Sequence, residues 1–173
     1  MAERSFFVLS ADPLYLPTDA QRNAALEYFK QVSPLPNANG EYRVHAEDAP
    51  ILLDAGEGME AVTCPACEAR IELLGEDESA EEWWDEVRGM EVTKDSLTTM
   101  PCCEAQVEVL DLTFDMPAYF TRFAIGALEP SYEYEHWKND DPHNEPQWLS
   151  DEAVARFEQL MGGKIHQMWR IGY

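Results

Sequence analysis

The residues of this chain best suited to chemistry are its four cysteines, Cys64, Cys67, Cys102 and Cys103. The first pair is separated by two residues, which is the usual spacing of a zinc knuckle, whereas the second pair is adjacent. Two knuckles that face each other form the tetrahedral sulfur cage that zinc prefers, and a closed cage leaves no position for a catalytic water. The pattern therefore predicts one structural zinc ion held by all four thiolates.

The two cysteine pairs belong to an internal repeat. Residues 63–74 read TCPACEARIELL, and residues 99–110 read TMPCCEAQVEVL. In this alignment Cys64 corresponds to Met100, and Cys102 takes the place of Ala66. The apolar and polar residues that alternate after each knuckle predict a half-buried strand in each repeat.

Three alternatives to the four-cysteine site remain open. The cysteines could be ordinary buried residues, or a redox pair, although a redox CxxC usually accompanies a βαβ unit that is not evident here. A histidine or carboxylate could also replace Cys102 or Cys103, because adjacent side chains on a strand point to opposite faces. Both thiolates reach one metal only if the backbone turns sharply, which Pro101 favours.

The charge of the chain restricts the partners it would bind. With 12 Lys and Arg against 34 Asp and Glu, the formal net charge is −22. Such a surface repels nucleic acid and anionic membranes. It would attract basic proteins, or its charge could serve solubility alone. No apolar run approaches the ~20 residues of a membrane-spanning helix. The apolar stretch 6–9 is too short for a signal peptide, so we expect a cytoplasmic protein with reduced thiols.

Two acidic segments are candidate partner-binding surfaces. Residues 76–86 contain seven acidic side chains and no basic one. Ser79 is expected to cap a helix there, with Glu82 completing a capping box, and the apolar side chains of this helix would pack inward. In the loop 132–148, aromatic side chains are interleaved with carboxylates and could anchor an interface. The alternative is that both segments are only solvated. The candidate contacts are Glu81, Glu82, Asp85, Glu86, Tyr132, Tyr134 and Trp137.

The order of elements outside the cysteine repeat predicts an α+β fold. Strands are expected at 5–10, 41–46 with 50–53, 119–128 and 165–173, and helices at 19–32 and from 149 to 161. This βαββαβ order is that of a ferredoxin-like sheet with two helices on one face. Residues 1–60 and 115–173 would form this core, and residues 61–114 would be an inserted zinc-ribbon module.

Apolar periodicity predicts which side chains form the core. On the helices, these are Phe29, Val32, Val154, Phe157 and Leu160, and on the strands Phe7, Phe123, Ile125, Trp169 and Ile171. The polar face of the last strand is expected to include His166 and Met168.

Several segments together resemble a family of uncharacterised bacterial proteins. They are CPAC at 64–67, WW at 83–84, PCC at 101–103, DLTFDMPAYFTRF at 111–123, LEP at 128–130 and the terminal QMWRIGY. In that family a CPxC knuckle, a PCC knuckle, a DLx[YF]xxPxxFxRF block and a WxxY terminus recur in this order. The resemblance implies a bacterial cytosolic zinc-ribbon protein and supplies no reaction. This chain departs from the family at Glu68 and Glu104, where glycine is usual and tolerates a positive φ.

The remaining residues do not form a recognisable catalytic motif. The chain has no glycine-rich phosphate loop, HExxH or GxSxG sequence. We therefore expect a non-enzymatic interaction protein, such as an inhibitor, an immunity-type protein or an adaptor for a basic partner. The alternative is a small hydrolase with His143 in the loop 132–148.

Overall fold

The computed structural model describes residues 3–35, 40–56, 59–73, 75, 77–128, 130, 136, 138 and 148–172. The helices are α1 (Asp19–Val32), α2 (Glu78–Gly89) and α3 (Asp151–Met161). The strands are β1 (Glu3–Ser10), β2 (Tyr42–Asp54), β3 (Ala61–Thr63), β4 (Arg70–Glu72), β5 (Leu97–Thr99), β6 (Gln106–Glu108), β7 (Thr113–Phe114), β8 (Ala118–Leu128) and β9 (Ile165–Gly172). The predicted mixture of helices and antiparallel sheets is confirmed.

The largest sheet has four strands in the order β2-β8-β1-β9, and every neighbouring pair is antiparallel. β1 lies in the interior, so Phe6 pairs with Ala127 on one side and with Trp169 on the other. β2 is one strand with a register shift between Ala46 and Ile51. The segments 41–46 and 50–53, expected from the sequence to form one strand or a strand pair, are therefore the two halves of one irregular strand at the edge of the sheet.

Helices α1 and α3 pack together with one face of this sheet. Thr18 caps α1 and forms a capping box with Gln21, and Ser150 caps α3 through the N–H of Ala153. The buried cluster that they share with the strands consists of Phe6, Val8, Ala25, Phe29, Val32, Phe123, Ile125, Ala127, Leu149, Ala153, Phe157 and Met161. Both long helices thus bury their apolar faces in one core.

Some side chains lie on a different face from the one predicted. Phe7 is buried, but it belongs to a separate cluster on the face of the sheet opposite the helices. Met168 lies on that same face, as predicted, but it is fully buried there and not part of a polar surface. All residues from Phe6 to Leu9 are apolar, so this strand has no alternation that distinguishes its two faces. Trp169 packs on the helix side as expected, and the side chain of Ile171 lies outside the described residues.

The apolar stripe of α3 is rotated slightly from the predicted one. Ala153, Phe157 and Met161 are its buried residues, whereas Val154 and Leu160 are only partly buried. The apolar stripe of a helix is wide enough to include both the predicted and the observed buried residues. The position of the neighbouring elements decides which of these side chains become fully buried.

Residues between β2 and β8 form a second body of structure around their own buried cluster. β3 pairs with β4 and with β7, and β5 pairs with β6. Trp83, Trp84, Ile71, Val107 and Met100 are among the buried residues. Phe120 of β8 belongs to the same cluster, so this body is continuous with the end of the large sheet. The domain boundaries at 60/61 and 114/115 stay a prediction.

The N-cap of helix α2 lies two residues before the predicted one. Asp77, rather than Ser79, is the N-cap, and its carboxylate accepts hydrogen bonds from the N–H and the hydroxyl of Ser79 at 3.0 and 2.6 Å. A carboxylate one residue before the helix can accept both donors, which makes it the better cap here. Among the described residues, no helix is long and apolar enough to cross a membrane.

Candidate metal centre

The first knuckle is the turn that joins β3 to β4. The N–H of Cys64 donates to the carbonyl oxygen of Ala69, and the N–H of Glu68 donates to that of Cys64, each at 2.9 Å. These two hydrogen bonds close the turn and direct the thiols of Cys64 and Cys67 to one side. The side chain of Cys64 is buried, whereas Cys67 is exposed.

The second knuckle joins β5 to β6 with the same backbone geometry. The N–H of Met100 donates to the carbonyl oxygen of Ala105, and the N–H of Glu104 donates to that of Met100, again at 2.9 Å. Met100 therefore stands where the first knuckle has Cys64, as the sequence repeat predicts. Met100 is fully buried.

The residue after each knuckle has a left-handed backbone conformation. Glu68 has a φ of 60° and Glu104 a φ of 59°, and they are the non-glycine residues with positive φ in the part of the chain that the structure describes. Such a conformation costs a residue with a Cβ about 1–2 kcal/mol. Both turns are thus formed by a glutamate at a position where glycine would adopt the conformation without this cost.

The four sulfur atoms lie together. The Sγ atoms of Cys64 and Cys103 are 3.8 Å apart, and those of Cys67 and Cys102 are 3.4 Å apart. All four Sγ atoms lie within 4.8 Å of one another, and all four cysteines are free. Thiolates about 2.3 Å from a tetrahedral metal are themselves about 3.8 Å apart, whereas bonded disulfide sulfurs are about 2.05 Å apart. The geometry is that of a site that could hold a metal ion.

Adjacent cysteines reach one site because residues 101–103 form a turn and not a strand. The opposite-face rule for strands therefore does not apply to Cys102 and Cys103. Within the described residues, the cluster contains neither histidine nor carboxylate. This favours the four-cysteine set over a site in which another ligand replaces one thiol.

The surroundings of Cys64 favour its thiolate. Burial by itself would raise the pKa of this thiol, but the N–H groups of Cys67 and Ala66 and the thiols of Cys67 and Cys102 outweigh burial and lower the pKa to about 7. The N–H of Ala66 lies 3.4 Å from the Cys64 sulfur. Backbone donors that point at a sulfur stabilise the charged form, which is the form that binds metal.

Cys102 shows the opposite tendency. Burial, followed by the neighbouring thiols of Cys67 and Cys64, raises its pKa to about 12. Thiolates in such close proximity repel one another, so each ionised sulfur makes the next harder to deprotonate. A divalent cation among the four sulfurs would lower the pKa of each thiol, because it stabilises every thiolate at once.

Asp115 connects the strands that support the first knuckle, a role that the sequence interpretation missed. Its carboxylate accepts hydrogen bonds from the N–H groups of Ala61 and Glu60 at 3.1 and 3.3 Å and from the Arg70 guanidinium at 3.1 Å. Burial opposes ionisation, but the Ala61 N–H, the Arg70 guanidinium and the Glu60 N–H together lower its pKa. Its position inside the DLTFDMPAYFTRF block was the available signal.

The second knuckle is supported by α2. The indole N–H of Trp83 donates to the hydroxyl of Thr98 on β5 at 2.8 Å, and both side chains are buried. Trp84 contacts the ring of Phe114 on β7, with ring centroids 6.0 Å apart. One helix therefore contacts β5 of the second knuckle and β7, the strand that pairs with β3 of the first knuckle.

The predicted partner-binding residues fall into two groups. Glu81, Glu82, Asp85 and Glu86 are exposed, on the side of α2 opposite its buried residues. Tyr132, Tyr134 and Trp137 lie outside the described residues, as do His143 and most of the loop that would carry the alternative hydrolase site.

We compared the chain with protein-family models, with curated proteins and with solved structures. None of them matches it.

Proposed function

We propose that this protein is a zinc-binding, non-enzymatic interaction protein that presents the acidic face of α2 to a basic protein partner. The observation that carries the proposal is the cluster of four free thiols within 4.8 Å, of which Cys64 shares a buried cluster with α2, a helix whose outward face carries four carboxylates. A closed set of thiolates is typical of structural sites, because catalytic zinc keeps one position open.

Zinc is the metal that the donor set favours. Four sulfur ligands in a tetrahedral arrangement suit zinc or iron, whereas magnesium and calcium require oxygen ligands. The metal would join two hairpins whose strands are only three residues each, and strands of that length gain little stability alone. Elemental analysis of protein purified without chelator should find one zinc per chain. Protein with no metal, or with one iron per chain, would contradict this part of the proposal.

The acidic face has the form of a steering surface. Trp83, Trp84 and Val87 anchor α2 in the buried cluster, so the exposed carboxylates all project from one side of a fixed helix. Fixed charges of one sign accelerate encounter with an oppositely charged partner, and salt screens the effect over ~10 Å at 0.1 M. The basic partner could be a toxin-like protein that this chain masks, or a protein that it recruits.

Two further expectations, on the fold and on the family, are part of the same proposal. The strand order β2-β8-β1-β9, with α1 and α3 in one cluster, supports a ferredoxin-like core that carries a zinc ribbon. Membership of the resembling family of bacterial cytosolic proteins is proposed on the sequence segments alone.

The test is an association measurement with a co-purified basic partner, repeated with two variants of equal charge. In the first variant the four exposed acids of α2 become amides: Glu81→Gln, Glu82→Gln, Asp85→Asn and Glu86→Gln. In the matched control the same change is made at exposed acids elsewhere: Glu41→Gln, Asp48→Asn, Glu108→Gln and Glu152→Gln.

The first variant should slow association about tenfold and flatten its salt dependence, while the control stays near wild type. Equal slowing in both would assign the effect to net charge. An unchanged on-rate in the first variant would rule out α2 as the contact surface.

A further inference from the structure

A cavity of about 290 Å³ lies where α2 meets the large sheet. Val87, Val92 and Phe120 contribute an apolar lining, and all three are buried. The edge strand β2 contributes Leu52 and Asp54. The volume of the cavity is close to the ~300 Å³ at which small-molecule sites begin.

Two arginines line the same cavity from different parts of the fold. Arg88 belongs to the last turn of α2, and Arg170 belongs to β9. The chain has only 12 basic side chains against 34 acidic ones, so two guanidinium groups at one cavity stand out from the surrounding surface. The guanidinium fork is the side chain best matched to a carboxylate.

The donors of these arginines are largely uncommitted. Within the described part of the chain, no carboxylate forms an ion pair with Arg88. Arg170 lies 3.8 Å from the Asp54 carboxylate, at the outer limit of an ion pair. A guanidinium has five N–H donors, so one long contact leaves Arg170 able to bind a second oxygen pair.

The charges at the cavity also indicate which anion would fit. Asp54 is held by the N–H of Gly56 at 3.0 Å and has a side chain only 19% exposed. Two guanidinium groups and one carboxylate leave a single net positive charge at the cavity. A dianion would face the Asp54 carboxylate as well as the negative field of the whole chain, whereas a monoanion would be neutralised.

We infer that this cavity binds a small organic monocarboxylate whose ring or branched chain packs on Val87, Val92 and Phe120. The carboxylate would lie between Arg88 and Arg170. This site is distinct from the metal centre, and the inference does not rest on the proposed function.

Calorimetric titration of the full-length protein tests the inference with phenylacetate as the probe. Phenylacetate should bind saturably, and at least about tenfold more tightly than acetate, which lacks the apolar group, or phenylacetamide, which lacks the charge. Inorganic phosphate should bind more weakly than phenylacetate. The absence of saturable binding, equal binding of the amide, or tighter binding of phosphate would each overturn the inference.

Variants then assign the site. Arg88→Met and Arg170→Met should each weaken phenylacetate binding about tenfold, since each removes a charge-assisted hydrogen bond. Arg88→Lys keeps the charge without the fork and should give an intermediate affinity.

The matched control is Arg43→Met, because Arg43 lies on β2 away from the cavity lining. Circular dichroism confirms folding, and the affinity of the exposed Arg88 variants is decisive if Arg170→Met does not fold. Unchanged affinity in Arg88→Met, or equal loss in Arg43→Met, would refute the site.

Discussion

The backbone N–H of Cys64 and that of Met100 make the same hydrogen bond, each to the carbonyl oxygen five residues later and each at 2.9 Å. The two residues thus occupy equivalent places in two turns with the same hydrogen bonds, yet only one of them has a thiol. The missing sulfur is supplied by Cys102, from the place that Ala66 occupies in the first turn.

This equivalence predicts that the fourth ligand can be moved. Cys102→Ala should lower metal affinity by on the order of 3 kcal/mol or more, because it removes one of four ligands from a site worth ~10–16 kcal/mol. The double variant Met100→Cys with Cys102→Ala should recover most of that loss, since it places the thiol where the first knuckle has Cys64. Competition with a chromogenic chelator measures both affinities. A double variant that binds no better than Cys102→Ala would show that the two turns are not interchangeable.

The left-handed residues after the knuckles predict a stabilising substitution. Glu68→Gly and Glu104→Gly should each raise the free energy of unfolding by up to about 1 kcal/mol, because glycine adopts a positive φ without the Cβ penalty. The gain is smaller than the full penalty because glycine also makes the unfolded chain more flexible. Urea denaturation with metal present measures the change. The control is Glu108→Gly on β6, which should destabilise the protein by about 0.5–1 kcal/mol. Glycine in a strand loses more conformational freedom on folding and relieves no strain there. Destabilisation by both knuckle variants would contradict the prediction.

Asp115 predicts a pH-dependent contribution to stability. Asp115→Asn should lower the free energy of unfolding by about 1–3 kcal/mol at neutral pH, because charge-assisted hydrogen bonds to Arg70 and two backbone N–H groups are lost. The folded-state pKa of this carboxyl is lowered, so its stabilisation is complete above the unfolded pKa of ~4 and is lost as the pH falls through the folded value.

The difference between wild type and Asp115→Asn should therefore shrink in acid. Urea denaturation across a pH series measures it, with the exposed Asp111→Asn as a control that changes stability little at any pH. A difference that stays constant down to the lowest pH would show that ionisation of Asp115 is not its cause.

The contact between Phe7 and Gly126 predicts a steric requirement in the sheet. A Cβ built on Gly126 would lie 2.3 Å from the Phe7 ring, closer than any real contact. Gly126→Ala should therefore destabilise the protein by about 1–3 kcal/mol through overpacking.

The matched control for this prediction is Gly89→Ala at the end of α2, where an added Cβ meets nothing within 4 Å. It should be neutral or stabilising by up to about 1 kcal/mol, because alanine is the better helix former. Thermal unfolding compares the pair, and equal effects of the two substitutions would refute the role of the Phe7 ring.

The local chemistry of this protein could be predicted from its sequence. The span of α1, the position of α3 within residues 149–161 and the equivalence of the two cysteine turns all depend on residues close together in the chain. Hydrogen bonds within a few residues determine such features, so spacing and residue type suffice to predict them. The grouping of the cysteines followed from the same local repeat.

The tertiary structure decided which faces and distant residues meet. Phe6 and Phe7 are chemically identical neighbours, and only their pairing with β8 and β9 assigns one to the helix side and the other to Gly126. The meeting of Arg88 with Arg170 at one cavity likewise joins residues far apart in the chain. Burial depends on what is packed against each face, and a pattern of residue types along one strand contains no information about that neighbour.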